Sequence, residues 1–299
     1  MKNNISALSA HLMATGTIIV WGTTFIASKL LLAVYTPSQI MLMRFALAYV
    51  MLFILKPKVL RMKWKEELYF ALLGLIGCTV YFLAENNALK YTLASNVSII
   101  VAAAPMFTAI LANFILPDEK LHSGAFLGFA IAIVGVALVV FNGTVVLKLN
   151  PLGDILSLLA AMCWALYSVL LKRRVNDYDS LQLTRRVMLW GFITSLPLTL
   201  AEGKPFTLAP LADPKLLFCV LFLGLLGSAL GYFCWNLVSR RLGIVVVNNY
   251  VYVNPLATTI AAAIILKENI SLMGAVGAVL ILLGVFVSDR RKTKKEADV

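Results

Sequence analysis

Glu85 is the only one of fourteen acidic residues that lies well inside a long apolar run. An ionisable group there costs about 2.5–3.5 kcal/mol on insertion scales, so by default it marks a pathway or an ion pair. Two chemistries are open to it. Facing a wet cavity, it would bind an amine or exchange a proton, because desolvation disfavours the charged carboxylate. Facing its own chain, it would form a structural pair with Arg44 or Lys90. Arg44 stands about two turns into another apolar run and would counter a substrate carboxylate or bridge to Glu85. Tyr81 precedes Glu85 by one helical turn and shares its face.

Amides and rings recur at helical spacing in the same runs. Asn86 and Asn87 follow Glu85; Tyr232, Trp235 and Asn236 occupy the matching place in a later run; Asn248, Asn249 and Tyr252 precede Asn254-Pro255. Such side chains line a cavity or pin helices together by hydrogen bonds. Spacing leaves both open for Asn248, Asn249 and Tyr252, whereas Asn86 and Asn236, equivalent in two similar halves, lean toward pinning. Trp21 and Trp164 lie mid-run, away from the interfacial belts where Trp collects, and Tyr167 shares the face of Trp164. They would grip apolar parts of a substrate or simply pack. Pro105 and Pro255 each remove a backbone hydrogen bond, giving a gating bend or a static kink. The candidate substrate-binding set is therefore Trp21, Arg44, Tyr81, Glu85, Trp164, Tyr167, Trp235, Asn248, Asn249 and Tyr252, with Glu85 also the proton-coupling candidate.

The elements that must position these residues are apolar helices. The chain is 61% hydrophobic and 13% charged, against about 25% charged in soluble domains. Ten apolar spans run approximately over 9–33, 38–56, 67–89, 94–116, 122–141, 153–172, 182–201, 215–238, 244–266 and 272–288. A helix of about 20 residues crosses a bilayer core, and an open sheet would leave backbone groups unpaired in lipid. Met1 to Ala33 reads as the first helix, not a cleaved signal peptide. With the N-terminus inside, seventeen Lys and Arg fall on the inner side, against five on the outer (Lys90, Lys148, Lys204, Lys215 and Lys267). That bias places both termini in the cytoplasm. The net charge of +12 is thereby assigned to topology and lipid headgroups, not to nucleic acid. Arg185 and Arg186, near the cytoplasmic end, would snorkel.

The chain also repeats itself. Ala160–Lys172 echoes Thr17–Lys29, with Trp21 over Trp164, and Gln39 falls over Gln182 at the same interval of 143. Gly77 matches Gly227, Asn86 matches Asn236 and Pro105 matches Pro255 at 150; Glu119, Gly128 and Gly135 match Glu268, Gly277 and Gly284 at 149. Five spans per half is an odd number, so the second half enters the membrane from the opposite face. Such inverted repeats are a transporter architecture. The halves run over 1–145 and 146–289, followed by a basic cytoplasmic tail over 290–299. Gly124-xxx-Gly128 and Gly274-xx-Gly277 are smooth surfaces for close contact within the fold or across a homodimer.

Trp21–Phe25 (Trp-Gly-Thr-Thr-Phe), Arg44-Phe45, the Ala88–Ser95 turn, Pro105 with Pro117-Asp118-Glu119, and Asn254-Pro255 with Lys267-Glu268 together resemble the EamA group of drug/metabolite transporters, over about residues 8–289. The resemblance implies a cavity surrounded by spans 1–4 and 6–9, with spans 5 and 10 buttressing the outside. It also implies export of amino acids, related metabolites or toxic compounds across a cytoplasmic membrane.

No GxxxxGK[ST] loop is present for direct ATP drive, so energy would come from an ion gradient, protons included, or from exchange. A membrane enzyme would need clustered ligands or carboxylates. His11 and His122 are far apart, and Cys78, Cys163, Cys219 and Cys234 lack CxxC spacing. No cofactor or metal is expected. Few buried cations argue against large polyanions, which favours zwitterionic or cationic small molecules such as amino acids. The alternatives are a broad-specificity drug exporter and, further off, a channel or scaffold subunit.

Overall fold

The computed structural model describes residues 5–58, 61–92, 94–116, 123–141 and 150–266, and beyond them residues 272–273, 276–277, 279–280, 283–284 and 287. Every regular element among the described residues is helical. In order they are α1 (Ala7–Leu31), α2 (Pro37–Leu55), α3 (Trp64–Gly74), a π-helical turn (Leu75–Val80), α4 (Tyr81–Tyr91), α5 (Ala94–Val101), α6 (Ala104–Ile115), α7 (Ser123–Phe141), α8 (Pro151–Arg174), α9 (Ser180–Ala201), a short 3₁₀ turn (Ala209–Ala212), α10 (Pro214–Leu221), a second π-helical stretch (Phe222–Leu230), α11 (Gly231–Leu242), α12 (Ile244–Asn249), a 3₁₀ turn (Tyr250–Val253) and α13 (Asn254–Leu266). Most of the tenth sequence span, Lys267-Glu268, Pro117-Asp118-Glu119 and the 290–299 tail lie outside the described residues.

Six helices are long and apolar enough to cross a membrane: Ala7–Leu31, Pro37–Leu55, Trp64–Tyr91, Val97–Ile115, Pro151–Arg174 and Pro214–Leu242. Their outer faces are oily, with Ile54 71% and Phe114 82% exposed, while Gln39, Arg44, Glu85, Asn86, Asn236 and Asn248 are buried. Polar residues inside and leucine, isoleucine and phenylalanine outside is the arrangement that lipid selects.

Local chemistry sets the helix starts. Thr36 and Gln39 close a capping box on α2, with Pro37 in its first turn, so the orphan amides are satisfied. Asn150 and Asp179 cap α8 and α9 by a single bond each, their side-chain oxygens accepting from the Gly153 and Gln182 amides. Span 4 is broken at Ala102–Ala103, immediately before Pro105, and span 9 is broken into α12, the 3₁₀ turn and α13, with Pro255 just after the break. Proline cannot donate to the turn behind it. A π-helical stretch interrupts span 3 (α3–α4) and another interrupts span 8 (α10–α11).

The packing is reciprocal. α1 packs against α11 and α13, α8 packs against α4 and α6, and α2 packs along α9. Gly22 lets α1 touch α13: a Cβ there would sit 2.5 Å from the Ala257 Cβ. Gly284 stands against α7, where a Cβ would meet Ala132 N at 2.5 Å and the Gly128 carbonyl at 2.7 Å. The small-residue surface around Gly128 is thus used within the fold.

Arg185 does not snorkel. It is 6% exposed, and its guanidinium donates to the Lys56 and Lys58 carbonyls at the end of α2. Those carbonyls have no helical partner, so an inward cation satisfies them better than water at the interface. Arg186 pairs with Glu67 at 2.8 Å, and Trp190 Nε1 donates to the same carboxylate at 3.0 Å.

Candidate functional site

A cavity is lined by Trp21, Thr24, Phe25, Arg44, Tyr81, Phe82, Glu85, Val101, Trp164, Tyr232, Val251 and Asn254. α1, α2, α4, α5, α8, α11, the 3₁₀ turn of span 9 and the first residue of α13 each contribute. Only about 20 Å³ is open to the centre of a water molecule, room for about one water. The cavity is therefore too narrow for a metabolite in this conformation and needs to widen to take one.

Its charged pole comes from α2 and α4. Arg44 and Glu85 are 1% and 2% exposed. The guanidinium lies 3.8 Å from the Phe82 ring centroid, and its Nε donates to Ser228 Oγ at 2.9 Å. Arg44 Nη1 and Glu85 Oε1 are buried without a hydrogen-bond partner. The two groups lie within electrostatic range of each other, yet no salt bridge joins them among the described residues. Tyr81 interacts with the Glu85 side chain, as their one-turn spacing dictates. The pairing of Glu85 with Lys90 does not occur: Lys90 is exposed and lines a separate pocket with Lys204.

Much of the remaining wall is aromatic. Trp21 and Trp164 meet edge to face at 5.0 Å, and Trp235 closes on them at 5.0 and 5.6 Å. Tyr81 and Tyr167 flank Trp164 at 5.6 and 5.4 Å. Trp164 Nε1 donates to Asn248 Oδ1 at 3.0 Å, Trp21 Nε1 to the Gly227 carbonyl at 2.8 Å, and the Tyr232 hydroxyl to the Gly77 carbonyl at 2.7 Å. Such edge-to-face pairs hold ring positions beyond what burial alone would do.

Of the candidates named from sequence, Trp21, Arg44, Tyr81, Glu85 and Trp164 line the cavity. Tyr167, Trp235 and Asn248 stand behind that wall, each touching Trp164. Asn249 and Tyr252 are buried off the cavity, with Tyr252 against Phe129 of α7 at 6.2 Å. Pro105 and Pro255 are buried beside the helix breaks and do not line it.

The break in span 9 explains the missed residues there. Val251, in the 3₁₀ turn, and Asn254, three residues on at the start of α13, face the cavity, as a turn that eclipses residues three apart allows; Asn249 and Tyr252 lie on a different face. Thr24 and Phe25, three and four residues after Trp21, share its face, and that spacing would have found them. Phe82 is legible as the first-half match of Tyr232, at an interval of 150. Val101 carries no sequence signal.

The chain matches the model of the EamA-like transporter family twice, over residues 8–141 and 151–288. It is 31% identical, over 94% of its length and 93% of the other's, to the uncharacterized transporter YyaM of Bacillus subtilis (strain 168). It is 27% identical, over 92% and 91%, to a probable terminal-alkyne amino-acid exporter of Streptantibioticus cattleyicolor. A crystal structure of a protein 20% identical in sequence superposes with a TM-score of 0.75, covering 96% of this chain and 99% of the other, which shows a common fold.

Proposed function

The chain belongs to the EamA-like transporter family, a multi-pass membrane transporter family, and from that premise we propose that it exports small polar metabolites, amino acids or related zwitterions and cations, by alternating access. Ten spans form two inverted five-helix halves, 1–145 and 146–289, with both termini and the 290–299 tail in the cytoplasm. Reciprocal packing of α1 on α11 and α13, and of α8 on α4 and α6, supports the inverted pairing. The lysine and arginine bias supports the orientation in the plasma membrane.

One observation carries the substrate assignment. A buried carboxylate oxygen (Glu85 Oε1) and a buried guanidinium nitrogen (Arg44 Nη1), neither partnered, line the same cavity. An ammonium on Glu85 and a carboxylate on Arg44 would satisfy both. Buried charges without such partners are costly, so the pair fits a zwitterion better than an apolar guest. Glu85 is also the group that would carry a coupling proton. Trp21, Tyr81 and Trp164 hold the rest of the substrate, with Tyr167, Trp235 and Asn248 setting the Trp164 ring; Pro105 and Pro255 mark the bends. Asn249 and Tyr252 shape span 9 from behind.

The aromatic pole favours a second reading, a broad-specificity exporter of apolar cations. Uptake and efflux in proteoliposomes, with a panel of amino acids, nucleosides and organic cations and with or without a pH gradient, separates the two. Saturable exchange of amino acids supports the first. Flux of dyes and organic cations without amino-acid exchange defeats it.

A further inference from the structure

Each π-helical stretch leaves one carbonyl out of the helix register. In an α-helix the Tyr81 N–H bonds the Gly77 carbonyl; here it goes to the Ile76 and Cys78 carbonyls instead. The Gly77 carbonyl accepts from the Tyr232 hydroxyl of the other half at 2.7 Å. The second half repeats this. The Gly231 N–H goes to Leu226 and Ser228, and the Gly227 carbonyl, its α-helical partner, accepts from the Trp21 indole of the first half at 2.8 Å.

The acceptors are equivalent, 150 residues apart, but the donors are not. The match of Tyr232 is Phe82, which has no hydroxyl, so Trp21 serves Gly227. Trp164, the match of Trp21, is left to bond Asn248. Trp21 and Tyr232 both line the central cavity, with their rings 5.7 Å apart. Glycine at 231 is what lets the indole in: a Cβ there would stand 2.5 Å from Trp21 Nε1.

We propose that these two hydrogen bonds across the halves are latches on the π turns of spans 3 and 8, and that Tyr232 and Trp21 are positioning residues coupling the cavity to the face that opens. The proposal rests on the transporter reading above. π turns concentrate at functional sites and differ from an α turn by a shift of hydrogen-bond partner. Releasing a latch leaves a buried carbonyl unpaired, and its span recovers by taking back its own N–H, which changes pitch in the middle of the bundle. A substrate carboxylate held on Arg44, whose Nη2 borders Gly227, also draws on these two donors and so competes for them. Because the acceptors are equivalent in inverted halves, releasing one favours opening to one face and releasing the other favours the opposite face.

The test uses the full-length protein with its four cysteines replaced and Val101→Cys as a cavity reporter. The reporter is labelled with a membrane-impermeant maleimide in right-side-out and inside-out vesicles. Tyr232→Phe removes one hydroxyl. Gly231→Ala displaces the indole and Trp21→Phe removes its N–H. Tyr232→Phe is expected to raise labelling from one face roughly fivefold relative to the other, the population shift set by one hydrogen bond. Gly231→Ala and Trp21→Phe are expected to shift it by a similar factor toward the opposite face.

Changes to the same face in all three, equal changes at both faces, or no change overturn the proposal. So does a fall in thermal midpoint with no face preference, which is what plain packing gives. Labelling of the unsubstituted reporter protein from both faces upholds the transporter reading whatever the latch variants do. Labelling from neither face in any protein sinks both.

Discussion

Glu85→Gln should separate binding from stability, because the two move in opposite directions. The amide keeps the shape of the side chain and its place beside Tyr81 and removes the charge that would hold a substrate ammonium. Breaking a buried charge pair by removing one partner costs about 3–5 kcal/mol. Affinity for a transported amino acid should therefore fall roughly 10²- to 10⁴-fold. In the empty protein the same substitution relieves a desolvated carboxylate with one unpartnered oxygen. The gain comes from removing the buried charge, since the amide still has a polar atom in the unpartnered position; each kcal/mol recovered raises the midpoint by about 2–4 °C in larger domains. The assay is counterflow in proteoliposomes at several pH values, beside thermal unfolding in detergent with and without substrate. Substrate should raise the midpoint of the original protein and leave that of Glu85→Gln unmoved. Unchanged transport with unchanged pH dependence, or a variant less stable than the original, would refute the reasoning and make Glu85 a structural group.

Three further outcomes follow from the packing. Gly22→Ala places a Cβ against Ala257 and the Asn254 carbonyl; overpacking of this kind costs about 1–3 kcal/mol, read as a lower unfolding midpoint. Arg185→Met strips the Lys56 and Lys58 carbonyls of their donor and should lower the midpoint by several degrees, with faster proteolysis after α2. Asp179 is buried enough for its carboxyl to be pushed up, but the Lys56 ammonium and the Gln182 and Leu181 amides outweigh that and hold it below the usual carboxylate range. Its stabilising contribution is present above the unfolded pKa and lost as pH falls through the lowered folded value. Asp179→Asn should therefore cost at most about 1 kcal/mol at neutral pH, given the exposed pairing, and progressively less as pH falls through the lowered folded value; unfolding midpoints across pH 2–8 check this.

Six membrane-length helices were legible because lipid demands long apolar runs, and the charged pole because an ionisable residue in such a helix stands out. Proline announced the breaks in spans 4 and 9. What spacing could not give was convergence. Arg44, Glu85 and Trp164 come from three helices, and only tertiary packing decides that they share a cavity while Asn249 and Tyr252 do not. Nor could it give the π turns: no residue type marks them, and Gly77 and Gly227 read as ordinary small residues until their carbonyls are seen taken by Tyr232 and Trp21. Arg185 was misread because an arginine near a span end usually reaches outward. Here the unpaired end of α2 draws it in.

A structure of the protein with a transported amino acid bound tests the central claim most directly. The account predicts the ammonium on Glu85 and the carboxylate on Arg44, each at charge-assisted distances of about 2.7–2.9 Å, in a cavity widened around Trp21 and Trp164. A ligand seated elsewhere, with Glu85 and Arg44 untouched, would contradict it.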